Sequence, residues 1–205
     1  MNKLNDKEVY ARLDPDGVGD SIQVLAKQIE QMTAQWEDFL IPASYGQVNR
    51  VVFNGMGGSN LGAHLIKSAV ADRLRVPLLI EPGYQVSSYV DQDTLFIISS
   101  YSGSTEEPLS TYEEAKRRGA KILFVTARGD GNELLRLGQA EGVPTLAFEP
   151  THNPCGQPRL GTGYSIFAVI GALVKAGLCD LDQAAAQAAA RQLEAKQAKY
   201  QPAAT

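Results

Sequence analysis

The chain has 205 residues, of which 44% are hydrophobic and 20% are charged, and its formal net charge at pH 7 is −4. This composition is typical of a globular α/β domain with a sizeable core, and it has no signature of disorder. The acidic balance, with no basic stripe, argues against nucleic-acid binding.

The first ten residues are polar and charged, and no apolar run is long enough to span a bilayer. Two cysteines and two histidines are too few for a disulfide framework or a metal site: Cys155, Cys179, His64 and His152. We therefore expect a cytoplasmic protein that contacts no membrane and uses neither a metal nor another cofactor.

Residues 1–42 are predicted to form an N-terminal helical segment. After a turn signal at residues 14–17, apolar residues recur every three or four positions from residue 18 to residue 40. This spacing predicts one long amphipathic helix with a single buried face, which Pro42 ends. We expect that helix to be a packing element or a dimer contact rather than part of a site.

Residues 43–180 alternate between short β-rich runs and helical patterns, which is typical of βαβ units. Strands are predicted at residues 50–54, 77–81, 94–99, 121–126 and 144–148, and helices at residues 61–74, 106–118, 132–139 and from Leu160 onward. The predicted fold class is therefore α/β, a three-layer αβα sandwich with a five-stranded parallel sheet of flavodoxin-like order.

Residues 181–205 are rich in alanine and glutamine, and the pattern predicts a helix at residues 182–200. Because its apolar face is weak, we expect this helix to pack on a partner or to lead into further chain.

Two predicted strands end in loops that are rich in glycine, serine and threonine, and each loop opens a helix. The loops are Gly55-Met56-Gly57-Gly58-Ser59-Asn60 and Ser99-Ser100-Tyr101-Ser102-Gly103-Ser104-Thr105-Glu106-Glu107. Backbone N–H groups and hydroxyls at helix N-termini can hold a phosphate without a metal. Since a parallel sheet gathers the carboxyl ends of its strands at one edge, both loops predict a shared anion site there.

The first loop departs from the known nucleotide fingerprints. Asn60 stands where a dinucleotide-binding loop needs its third glycine, and no Gly-Lys-Ser/Thr sequence is present. Glu81, at the end of the next predicted strand, keeps an NAD-dependent oxidoreductase as a distant third possibility. A tight turn without a ligand is the remaining alternative for this loop.

The second loop carries more hydroxyls than helix capping requires. One hydroxyl, from Ser104 or Thr105, would suffice to cap the following helix. The surplus hydroxyls favour a phosphate monoester, with capping alone as the alternative.

Together the two loops resemble the sugar isomerase (SIS) domain and, more narrowly, the bifunctional phosphoglucose/phosphomannose isomerase family. The resemblance extends to residues 13–17, 126–131 and 157–164 and so covers nearly the whole chain. It implies cofactor-free aldose–ketose isomerisation of glucose 6-phosphate or mannose 6-phosphate to fructose 6-phosphate. It also implies phosphate-binding residues at Gly58, Ser59, Ser100, Ser102 and Thr105.

The active-site arginine of that family falls on Arg159, and we expect the sugar to extend toward Gly57, Ser59 and Arg159. A guanidinium after the fifth strand could bind a ligand oxygen or stabilise an enediolate. An ordinary surface ion pair is the alternative for Arg159. We expect Glu106, Glu107 and His152 not to act as catalysts.

The resemblance also implies two such domains in tandem, with the glutamate base, the ring-opening histidine and a lysine in the second. We therefore expect this chain to be the N-terminal half of an isomerase, without its catalytic base, and to meet a second SIS domain or another copy of itself. The alternative is a non-catalytic phosphosugar-binding or regulatory module.

Overall fold

The strands of the central sheet are β1 (Arg50–Gly55), β2 (Leu78–Ile80), β3 (Thr94–Ser99), β4 (Lys121–Ala127) and β5 (Thr145–Phe148). The computed structural model describes residues 6–197 and 199. Its α-helices are α1 (Lys7–Leu13), α2 (Val18–Gln23), α3 (Leu25–Ala34), α4 (Gly57–Ala69), α5 (Glu106–Arg117), α6 (Glu133–Glu141), α7 (Thr162–Lys175) and α8 (Gln183–Gln197). Short 3-10 turns lie at Trp36–Asp38, Ala43–Gly46, Ala71–Arg73 and Pro158–Gly161.

The sheet has five strands in the order β2-β1-β3-β4-β5, and every neighbouring pair is parallel. The predicted flavodoxin-like order is therefore confirmed. The chain adds β2 on one side of β1 and then β3 on the other side, so the direction of winding reverses there. In the pairing of β1 with β3, the last paired residues are Gly55 and Ser99. Such a switch point leaves a crevice at the carboxyl ends of the two strands.

Helices cover both faces of the sheet, so the predicted three layers are confirmed. On β3, Leu95 and Ile97 belong to a core that also contains residues of α4 and α7. Phe96 and Ile98 belong to a second core that contains residues of α5 and α6. This alternation follows from the two-residue period of a strand, which sends successive side chains to opposite faces.

Residues 18–40 do not form the single helix that their apolar spacing predicts. The helix breaks at Val24, between α2 and α3, and Leu40 is 88% exposed. Polar contacts explain where α3 lies: the side-chain amide of buried Gln28 donates to the carbonyl oxygen of Leu160 at 2.7 Å. The indole of Trp36 donates to the carbonyl oxygen of Phe167 at 2.8 Å. These anchors hold α3 against α7, and an apolar period cannot indicate them.

The helix after β1 starts at Gly57, four residues before the predicted start at residue 61, and ends at Ala69. Gly57 has φ of +52°, a left-handed conformation that glycine adopts without steric cost. The loop glycines therefore form the first turn of α4 rather than a separate connection. This places the N-terminus of α4 directly at the end of β1.

Helix α8 packs within the chain, against α3, through the small buried side chains of Ala186 and Ala190. The side-chain amide of Gln183 donates to the carbonyl oxygen of Thr33 at 2.7 Å. Residues 198 and 200 of the predicted helix lie outside the described residues. One core contains residues of all three predicted segments, including Met32 from the first and Ala186 from the last. The predicted boundaries between the segments 1–42, 43–180 and 181–205 stay predictions.

Candidate functional site

A cleft of about 620 Å³ opens at the carboxyl ends of β1 and β3. It is lined by Val18, Met56, Gly57, Gly58, Ser59, Ser99, Ser100, Tyr101, Ser102, Thr105, Gln157, Pro158, Arg159 and Leu160. The structure therefore brings all of the predicted substrate-binding residues together, and their roles stay predictions. It also adds Val18, although the segment from residue 18 was expected to lie away from any site.

The turn before α4 forms one wall of the cleft. No side chain of the described residues caps α4, whose N-cap residue is Met56. The Ser59 N–H donates to the Met56 carbonyl oxygen at 3.1 Å, whereas the N–H groups of Gly57 and Gly58 meet no capping side chain among the described residues. Gly58 lies tight against the Pro158–Gly161 turn, since a Cβ at Gly58 would be 3.2 Å from the Cα of Arg159. A glycine at this position lets the two backbones approach.

The loop after β3 forms the opposite wall, and Ser100 lies at its centre. The Ser100 hydroxyl is 2.7 Å from the Thr105 hydroxyl and 3.4 Å from the Ser102 hydroxyl, and it accepts the N–H of Gly103 at 3.0 Å. Thr105 is the N-cap residue of α5, as expected, but its hydroxyl makes no capping bond within the described chain. The expected side-chain cap is therefore wrong, because Thr105 bonds Ser100 instead.

Asn132, the N-cap residue of α6, holds this second loop in place. Its amide donates to the Thr126 hydroxyl at 2.6 Å and to the carbonyl oxygen of Ala127 at 2.7 Å, while its oxygen caps α6. Gly103 has φ of +70°, and a Cβ there would lie only 1.8 Å from the Asn132 oxygen. The loop conformation therefore depends on Asn132, a residue that sequence reasoning missed.

Arg159 lies on the Pro158–Gly161 turn, exposed at the mouth of the cleft. Within residues 6–197 and 199 it forms no ion pair, so the predicted alternative role in a surface ion pair finds no support. Its guanidinium, always charged and able to donate in a fork, is suited to an anionic or oxygen-rich ligand.

Tyr101 braces the turn that carries Arg159. The amide of buried Asn153 donates to the Tyr101 hydroxyl at 2.8 Å and to the carbonyl oxygen of Gln157 at 2.9 Å. The Tyr101 ring leaves no room for a side chain at Gly161. Burial raises the pKa of Tyr101, although the Asn153 hydrogen bond opposes this, so its hydroxyl stays neutral at ordinary pH.

The cleft lining contains no carboxylate and no histidine in the part of the chain that the structure describes. His64 is exposed on α4, and neither His64 nor His152 lines the cleft. Glu106 and Glu107 begin α5 but do not line the cleft either. The lining thus offers N–H groups, hydroxyls and one guanidinium, which can bind an anion but supply no proton-abstracting group.

This crevice, at the switch point of a flavodoxin-like sheet and beside two helix N-termini, defines an α/β domain with a cleft suited to an anion. Residues 45–136 match the family model of the SIS domain. Among solved structures, the tagatose-6-phosphate ketose/aldose isomerase of Escherichia coli has a similar fold, with a TM-score of 0.59 at 14% identity over 87% of this chain and 52% of that chain.

Sequence similarity is stronger to proteins named bifunctional phosphoglucose/phosphomannose isomerase. The one from Caldicellulosiruptor bescii is 34% identical over 162 residues, which cover 78% of this chain and 45% of that protein. The one from Aquifex aeolicus is 35% identical over 141 residues, which cover 68% of this chain and 41% of that protein. The predicted resemblance is thereby confirmed, and the chain spans less than half the length of these relatives.

None of the helices among the described residues is long and apolar enough to cross a membrane. Within the same residues, no group of three or more histidine, cysteine, aspartate or glutamate side chains could hold a metal ion.

Proposed function

We propose that the cleft binds a hexose 6-phosphate, and that this chain supplies the binding part of an aldose–ketose isomerase. The reaction would convert glucose 6-phosphate or mannose 6-phosphate to fructose 6-phosphate, the activity indicated by the names of the similar relatives. The observation that carries the proposal is the convergence of both loops and Arg159 on one cleft of an SIS domain.

The phosphate would lie against the loop after β3, at the N-terminus of α5. The hydroxyls of Ser100, Ser102 and Thr105 lie within one hydrogen-bonded group there, and each can turn to donate to a phosphate oxygen. The positive end of the helix dipole adds to the attraction for a dianion.

The sugar would extend from the phosphate toward Gly57, Ser59 and Arg159. Isomerisation moves one proton from C2 to C1 of the open-chain aldose and the hydroxyl proton from O2 to O1, so the carbonyl moves from C1 to C2 with no net oxidation. The intermediate enediolate carries negative charge on oxygen. A guanidinium at the mouth of the cleft would stabilise that charge.

The proton transfer itself needs a base beside C1 and C2. Because the described cleft lining contains neither a carboxylate nor a histidine, we propose that this base comes from outside the cleft wall described above. Its source would be a second SIS domain or a second copy of the chain. The apolar pair Leu61 and Leu65 on α4, 58% and 57% exposed, supports contact with such a partner.

The same lining favours a second candidate function, a phosphosugar-binding module without catalysis. The two candidates share the binding step and differ only in turnover. They are separated by assaying the purified chain, alone and with a candidate partner domain, for interconversion of fructose 6-phosphate and glucose 6-phosphate. Turnover that appears only with the partner domain, or only in an oligomer of the chain, supports the first candidate, whereas turnover by the monomeric chain would contradict the external base.

Binding is tested by thermal unfolding of the chain with millimolar fructose 6-phosphate, since a ligand that binds only the folded state raises the unfolding temperature. We expect Ser102→Ala to weaken binding about tenfold to a hundredfold, because it removes one hydrogen bond to a charged oxygen. The matched control is Ser110→Ala, whose exposed hydroxyl bonds the carbonyl oxygen of Glu107 on α5. No ligand-induced shift in the wild type would disprove the proposal.

A further inference from the structure

Ser99, the last residue of β3, has a buried hydroxyl without a partner. Its side chain is 1% exposed, and its oxygen makes no hydrogen bond within the described residues. Ser99 nevertheless lines the cleft. Buried polar groups are almost always hydrogen-bonded in folded proteins, and one without a partner destabilises the fold. An isolated hydroxyl at the floor of a ligand cleft therefore indicates a partner that arrives with the ligand.

The position of Ser99 in β3 shows which side of the cleft its hydroxyl serves. Leu95 and Ile97 point into the core beside α4 and α7, and a strand repeats every two residues, so Ser99 points to that same face. Ser100 is the next residue, and its hydroxyl joins the loop at α5 instead. The two neighbouring serines thus serve different walls of one cleft.

On the neighbouring parallel strand, the position of Gly55 lies on the same face of the sheet as Ser99. Gly55 is its register partner, and a side chain at Gly55 would clash with the Ser99 carbonyl oxygen at 2.9 Å and meet the Ser59 Cβ at 3.2 Å. The Ser99 side chain therefore lies on the wall formed by Ser59 and the start of α4. On the proposed function, that wall faces the sugar and not the phosphate.

We propose that the Ser99 hydroxyl binds a hydroxyl or carbonyl oxygen of the sugar part of the ligand. This inference rests on the proposed function and adds a residue that the resemblance does not imply. A serine hydroxyl both donates and accepts, as sugar hydroxyls do, and carries no charge. Ser99 thus contributes to recognition of the sugar, while the loop after β3 holds the phosphate.

The test compares Ser99→Ala with the wild type by calorimetric titration, using fructose 6-phosphate and inorganic phosphate as probes. We expect the affinity for fructose 6-phosphate to fall about fivefold to tenfold, the effect of one hydrogen bond. The affinity for inorganic phosphate should stay the same within about twofold, because that probe does not reach Ser99. Without ligand, the unfolding temperature should equal or exceed that of the wild type, since the variant removes an unpaired buried hydroxyl.

Ser165→Ala is the matched control. Ser165 is also a buried serine, but its hydroxyl donates to the carbonyl oxygen of Thr162 at 3.3 Å, and it does not line the cleft. This variant should lower the unfolding temperature and leave both affinities unchanged.

Three outcomes would overturn the role of Ser99: unchanged affinity of Ser99→Ala for fructose 6-phosphate, equal weakening toward both probes, or a lower unfolding temperature without ligand. Failure of the proposed function looks different, because the wild type would then bind neither probe, and the role of Ser99 would fall with it.

Discussion

The two walls of the cleft use the same backbone device with different chemistry. The turn at residues 56–59 follows β1, and the loop at residues 100–105 follows β3, and each leads into a helix that no side chain of the described residues caps. The first wall depends on glycine, because a residue without a side chain at position 58 can lie against the backbone of Arg159. The second depends on side-chain hydroxyls that bond one another. The first wall therefore depends on a close approach of two backbones, and the second on hydroxyls that hold one another in place.

Each wall also fits closely against one segment distant in sequence. Gly58 fits against the turn that carries Arg159, and Gly103 fits against the side chain of Asn132. The second fit is the tighter, because Asn132 is buried and bonded to three neighbouring groups. Substitution of Gly103 should therefore damage the fold, whereas substitution of Arg159 should damage binding.

The largest effect is expected for Gly103→Ala. The new methyl group would lie 1.8 Å from the Asn132 oxygen, and the residue would keep a φ of +70° that alanine adopts only with strain. Left-handed strain and overpacking together should lower the free energy of unfolding by about 3 kcal/mol. Urea denaturation measures this loss.

Gly131→Ala separates the two causes. Gly131 also has φ of +70°, but a Cβ there would meet nothing within 4 Å. Its loss should be about 1 kcal/mol, from backbone strain alone. Equal losses in the two variants would show that the contact with Asn132 does not hold the loop.

A smaller effect, confined to binding, is expected for Arg159→Ala. Removal of a charged donor from the cleft should weaken the affinity for fructose 6-phosphate by about tenfold to a hundredfold. The free energy of unfolding should hardly change, because Arg159 makes no ion pair in the part of the chain that is described. Calorimetric titration and urea denaturation measure the two quantities.

Arg128→Ala is the matched control, because it removes the same charge from an exposed arginine just after β4. The Nε of Arg128 lies 3.6 Å from Oε1 of Glu149. That variant should bind fructose 6-phosphate like the wild type. If both arginine variants weaken binding equally, the effect reflects net charge, and Arg159 has no specific role.

The sequence allowed the sheet and both walls to be predicted because their signals are local. Apolar runs that end in glycine or serine indicate strand, turn and helix start within about ten residues, and the parallel order follows from general rules of connection. Ser100, Ser102 and Thr105 were found for this reason, since their number exceeds what capping needs.

The parts that could not be predicted depend on contacts between distant residues. The placement of α3 depends on anchors such as Gln28, which bonds Leu160 at a separation of 132 residues. In the sequence, Asn132 and Asn153 look like ordinary polar residues. Only the fold places Asn132 against Gly103 and Asn153 against Tyr101. No local pattern in the sequence marks them.

The smallest predicted effect concerns the aromatic rings that connect the loop at residues 100–105 with α7. The Phe148 ring stacks on Tyr164 at 4.8 Å between ring centroids and meets the edge of Tyr101 at 5.7 Å. The Tyr164 hydroxyl accepts the N–H of His152 at 2.7 Å and donates to the Gln31 side-chain oxygen at 3.0 Å. Burial raises the pKa of Tyr164 to about 12.

An unfolded tyrosine has a pKa near 10, so between about pH 10 and pH 12 the unfolded chain releases a proton that folded Tyr164 keeps. The free energy of unfolding therefore falls as pH rises through this window, by about 0.8 kcal/mol at about pH 10.5, and Tyr164 contributes no pH dependence well below pH 10. Urea denaturation of the wild type and Tyr164→Phe at about pH 8 and about pH 10.5 measures this. The variant should lose less stability between the two pH values, by about that amount, even though it starts lower for want of its hydrogen bonds. If both proteins lost the same free energy of unfolding between the two pH values, Tyr164 would have the same pKa in the folded and unfolded states. Water would then reach the ring stack beside the loop at residues 100–105.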